Sequence, residues 1–111
     1  MLRECRLALR VTNALYDPEL CSLMEAAARD LRIAGVVLPG TVQFAASNEG
    51  MVDTSTLTDA LCQRAIFTYV RMNFGSPADA DRLKESYETQ KVQLMHANDY
   101  TEYGEDADAE S

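Results

Sequence analysis

Apolar positions recur at helical spacing in four segments of this chain, and one segment between the second and third breaks the pattern. Leu2, Cys5 and Leu9 share one side of a short first helix, with Arg3, Arg6 and Arg10 opposite. In YDPELCSLMEAAARDLRIAG, Leu20, Met24, Ala27, Leu31 and Ala34 return at intervals of four and three, and Leu23 widens the stripe. Asp17 is placed to cap the first amides, Pro18 has no amide to leave unpaired, and Gly35 can take the left-handed conformation that ends a helix. Together they predict a second helix over about 18–34.

The stretch VVLPGTVQFAASNEGMVDTSTL has no such stripe. Val42 and Phe44 alternate with polar or small residues, SNEG is turn chemistry, and Met51 and Val52 can return beside them. A short β-hairpin is predicted, about 41–46 with 51–54. Two strands alone are marginal in water, so the ribbon must lean on the helices or on a partner.

TLTDALCQRAIFTYVRMNFG predicts the central helix. Thr56, Thr58 or Asp59 can cap it, and Thr56 with Asp59 has capping-box spacing. Leu61, Cys62, Ala65, Ile66, Tyr69 and Val70 form a broad apolar face, with Phe67 and Phe74 beside it. The polar positions shrink to one line through Arg64, Thr68 and Arg71. A helix apolar around most of its circumference is enclosed on most sides. The line of Arg64 and Arg71 is then either a solvent edge or an ion-pair seam between subunits.

Gly75, Ser76 and Pro77 read as a stop, a cap and a first helical residue, which predicts a one- or two-residue corner into a fourth helix. Ala80, Leu83, Tyr87, Leu94, Val92 and Met95 give that helix its inward face, while Asp81, Arg82, Lys84, Glu85 and Glu88 face water. So short a connection makes the third and fourth helices immediate neighbours. The predicted fold is all-α, a small bundle of about four helices with a short β-hairpin insert between helices two and three. The expected organisation is a helical domain over residues 1–98, with the insert at about 41–54, and an acidic, flexible tail over 99–111.

Charge sharpens that division. The net charge is −8, and residues 99–111 hold Asp99, Glu102, Glu105, Asp106, Asp108 and Glu110 with no Lys or Arg. Eighteen acids less those six leaves the body with twelve, against ten bases. A nearly neutral body is a poor clamp for DNA phosphates, which need clustered Lys and Arg. The opening MLRECRLALRV is broken by Arg3, Glu4, Arg6 and Arg10, so it reads as neither a signal peptide nor a membrane span, and a host cytoplasm is the expected site of synthesis.

Chemistry is sparse. His96 is the one histidine, near a helix end where an imidazolium suits the dipole. Cys5, Cys21 and Cys62 are widely spaced, with no CxxC, and read as small buried thiols. Asp79, Asp81 and Glu85 sit among Arg82 and Lys84, which favours a solvated helix face over a metal site. There is no phosphate loop, GxSxG or HExxH, and no catalytic residue, cofactor or metal is expected.

The stretches AIFTYVRMNFG and DRLKESYETQKVQL, preceded by AAARDLRIAGV, resemble the small head–tail connector proteins of phages and prophages, also described as DNA-packaging adaptors. The resemblance covers about residues 1–35 and 53–101. Ala60 stands where relatives often carry proline, and the insert from Val42 to Val52 is longer than in many of them.

The resemblance implies a structural, non-enzymatic, mostly helical subunit in a virion neck. It would form a ring of about twelve copies through head-to-tail contacts. That ring would sit beneath the portal protein, extend the DNA channel without sequence-specific binding, and meet a downstream head–tail or tail-completion protein. Arg64 and Arg71 are then expected at the contact between copies. Phe44 and Met51 on the ribbon, and Tyr100 and Tyr103 in the tail, are expected to dock on portal or tail partners. The alternative is a small helical interaction module, such as a phage regulator or antitoxin partner, without ring assembly.

Overall fold

A computed structural model of the chain describes residues 1–97 and Tyr100. Its elements are α1 (Leu2–Leu9), α2 (Asp17–Ile33), β1 (Phe44–Ser47), β2 (Gly50–Asp53), α3 (Ala60–Asn73) and α4 (Ala80–His96). Four helices with a two-stranded antiparallel hairpin between the second and third reproduce the predicted order.

One core joins all four helices. It holds Leu2 and Cys5 from α1, Leu20, Met24 and Leu31 from α2, Cys62, Ala65, Ile66 and Val70 from α3, and Tyr87 and Leu94 from α4. α3 packs most extensively on α4 and next on α2, which makes it the central element. Ile66 is 0% exposed and Tyr69 is half-buried, its ring edge-on to Tyr87 at 5.3 Å. The apolar stripe is narrower than the sequence implies, because Leu61 is 55% exposed and Val92 46%. Conversely Thr68, expected on the polar line, is buried. Its hydroxyl donates to the Arg64 carbonyl at 2.9 Å, so the polar atom is satisfied inside its own helix.

Expectations at the starts of α2 and α4 change, while at α3 the choice among Thr56, Thr58 and Asp59 is decided. Asp17 does not cap α2: Tyr16 occupies that position, and Asp17, 4% exposed, opens the helix. Its carboxylate accepts from Arg6 Nε at 2.7 Å and Nη2 at 2.8 Å, and this bidentate pair clamps α1 to α2. Ahead of α3, Asp59 does cap, accepting from the Cys62 amide at 3.0 Å, whereas the Thr56 hydroxyl is taken by Thr41. The expected sharp corner at Gly75–Pro77 is absent. Phe74 already leaves the helix in an extended conformation and packs edge-on against Tyr16 at 5.4 Å. Gly75 follows at φ 69°, and α4 begins only at Ala80, with Asp79 as its cap residue. The connection therefore runs over residues 74–79.

The hairpin is shifted slightly toward its turn, pairing Phe44 with Asp53 and Ala46 with Met51. These four share one face, and β2 lies against α2. Phe44 and Met51 are half-buried against the core, while Val52 on the other face is exposed. Support from the helices is what a two-stranded ribbon needs.

Asp53 fixes the ribbon to α1, accepting from the Met1 amino group and from the Leu2 amide. Burial opposes its ionisation, but the Met1 amine and the Leu2 and Ser55 amides outweigh that and hold the carboxyl down to about 2. A depressed acid stabilises the fold above its unfolded value, about 3.9, and the contribution fades as pH falls toward 2. The melting temperature of the wild-type protein is expected to fall more steeply between about pH 4 and pH 2 than that of Asp53→Asn, as followed by circular dichroism.

The ribbon's base is pinned by close backbone approach. A Cβ on Gly40 would lie 2.6 Å from the Leu57 Cα and 2.7 Å from its nitrogen. The adjoining Thr41 carbonyl accepts from the Thr56 amide at 3.0 Å and the Leu57 amide at 3.1 Å. Gly40→Ala must push these segments apart and is expected to cost about 1–3 kcal/mol in a urea titration.

Candidate assembly surface

α3 and α4 run antiparallel: Leu61 meets Leu94 at one end of a shared groove, and Arg71 meets Leu83 at the other. The middle of the groove is an open cavity of about 420 Å³, floored by Phe67 and Thr68 and flanked by Arg64, Arg71, Ser86 and Gln90. It continues past Arg64 over Gln90 and Gln93, and at its other end reaches Ala8 and Arg10 near α1.

Arg64 and Arg71 are thus brought to one groove, as their spacing on a single helix requires. Both are exposed, and neither guanidinium joins an ion pair among the described residues. Arg82 on the flank is already held by Asp79 at 2.8 Å. The two unpaired guanidiniums bring the groove planar donors suited to carboxylates, with Glu85 the acidic residue on its α4 flank.

The other expected contact residues lie elsewhere. Phe44 and Met51 sit on the inner face of the ribbon, turned to the core. Tyr100 lies at the Leu61 end of the groove, where its hydroxyl donates to Asp59 at 2.9 Å and its carbonyl accepts from the Val37 amide at 2.6 Å. Tyr103 and the acidic residues of 99–111 fall outside the described residues.

The α4 wall of the groove was not anticipated. Ser86, Gln90 and Gln93 recur at four and three, an uncharged polar row within a helix otherwise rich in Lys, Arg and Glu. Gln90 donates weakly to Ser86 at 3.4 Å, and its carbonyl oxygen is buried without a partner among the described residues. That row was the available signal, because spacings of four and three put Ser86, Gln90 and Gln93 on one face of a helix.

Titratable groups away from the groove are structural. Tyr87 donates to Asp30 at 2.5 Å, and Lys91 reaches the same carboxylate at 3.3 Å while lying over the Tyr87 ring. Burial pushes the Tyr87 hydroxyl up, with Asp30 adding to it, and the set ties α4 to α2. Burial also drives each of the three free thiols, Cys5, Cys21 and Cys62, up to about 12, where the nucleophilic thiolate is scarce. No group of three or more His, Cys, Asp or Glu side chains converges among the described residues.

The family model for phage connector proteins matches residues 1–101, nearly the whole chain. The chain belongs to the phage connector family. Membership makes this connector a structural component that assembles with other phage proteins. No helix among the connector's described residues is long and apolar enough to cross a membrane. No curated protein and no solved structure matches the connector.

Proposed function

We propose that this connector forms a ring beneath the portal at the head–tail junction, extends the DNA channel toward the tail, and passes each subunit's arginine groove to an acidic face of the next copy. The observation that carries the reading is the pair of unpaired guanidiniums on the central helix of a family member built for assembly. A ring needs two different faces per subunit, and an exposed basic groove on a protein with net charge −8 is one such face. The nearly neutral body suits a conduit that DNA must slide through without being gripped. The portal and a downstream tail-completion protein are the partners above and below the ring. The outer face of the ribbon, where Val52 is exposed, and the C-terminal segment that carries Tyr103 are the elements assigned to those contacts.

The test is electron microscopy of the full-length protein alone and mixed with its portal. Rings seated on the portal are the expected result. A small oligomer that ignores the portal at all concentrations would replace this reading with a helical interaction module.

A further inference from the structure

We propose that the acidic C-terminal segment of this same chain, residues 102–110, is the ligand of the α3–α4 groove in the free subunit, its carboxylates engaging Arg64 and Arg71. Tyr100 stands at the mouth of the groove, where with Leu61, Arg64 and Leu94 it lines a small cavity of about 60 Å³. Its bonds to Asp59 and Val37 tie the chain to this end of the molecule, and the acidic stretch follows it directly in sequence. That segment carries Glu102, Glu105, Asp106, Asp108 and Glu110, without a single Lys or Arg.

Length permits the contact. Arg64 and Arg71 are seven positions apart on α3, about 10 Å along a helix axis. Eleven residues extend to at most about 36–40 Å, and as a flexible coil span about 17–20 Å. So short a tether places the carboxylates at an effective concentration in the millimolar range, which lets individually weak ion pairs form. The groove offers matching chemistry at each step. Two guanidiniums are free to bind carboxylates in bidentate fashion.

The inference rests on the assembly reading for its consequence: the segment covers the surface a neighbouring copy must reach, so joining the ring requires displacing it. The contact itself is measured on the isolated full-length subunit, where ring formation plays no part. Substituting Glu102→Gln, Glu105→Gln, Asp106→Asn, Asp108→Asn and Glu110→Gln together is expected to shift the Arg64 and Arg71 Nε–Hε NMR resonances and leave Arg3 and Arg29 in place. Arg64→Gln with Arg71→Gln is expected to shift the backbone amides of 102–110 in return. Both shifts should persist on dilution and disappear at high salt. Arginine resonances that ignore the neutralised segment overturn the proposal. So do shifts that fade on dilution, since they assign the segment to a second copy's groove.

Discussion

Ile66→Ala is expected to lower the unfolding free energy by about 2–5 kcal/mol, while Leu61→Ala in the same helix changes it little. The contrast follows from position. Ile66 is fully enclosed where α3 meets the rest of the core, so losing its methyl groups leaves a cavity as well as a transfer cost. Leu61 is 55% exposed at the end of the groove and gives up much less. A domain of this size has a total stability of about 5–15 kcal/mol, so the Ile66 change removes a large share of it. Urea titrations of the two variants, read by circular dichroism, measure the difference. Equal losses would mean that the central helix is not enclosed as described.

Reversing charge at both Arg64 and Arg71 to Glu is expected to abolish ring formation on the portal and leave the subunit folded. Both side chains are exposed and unpaired among the described residues, so their loss costs the monomer within about 0.5 kcal/mol. Across a subunit contact the same change turns attraction into like-charge repulsion, which costs several kcal/mol per contact and recurs at each joint of a closed ring. Melting curves establish the fold, and electron microscopy with portal reads assembly. Rings that form normally in the double variant would free these arginines of any part in the joint.

The long-range periodicities carried most of the architecture. The stripe through Leu20, Met24, Ala27 and Leu31, and that through Cys62, Ala65, Ile66 and Val70, are both buried where a 3.6-residue period puts them. The ribbon was legible from turn chemistry, although its strands start and end a few positions later and earlier than alternation suggests. Local chemistry misled wherever a tertiary partner outbid the backbone. Asp17 has the sequence profile of a helix cap, but Arg6 offers its carboxylate two strong bonds that no local pattern announces. Gly75-Ser76-Pro77 has the profile of a sharp corner, yet Phe74 leaves the helix early and packs against Tyr16, some sixty residues away.

The groove was half visible. Two arginines on an apolar helix stand out in one dimension, whereas their opposite wall of Ser86, Gln90 and Gln93 acquires meaning only once α4 is laid beside α3. Tyr100 shows the same limit: its place in an acidic stretch suggested an anchor for a partner, and its hydroxyl is bound to Asp59.

The sealed thiols have a practical corollary. With Cys5, Cys21 and Cys62 at most 1% accessible and resistant to deprotonation, a maleimide dye meets no native target on the intact subunit. A cysteine engineered at an outward position such as Glu88 would therefore carry its fluorophore alone, and energy transfer between neighbouring copies could time their joining in the unaltered background.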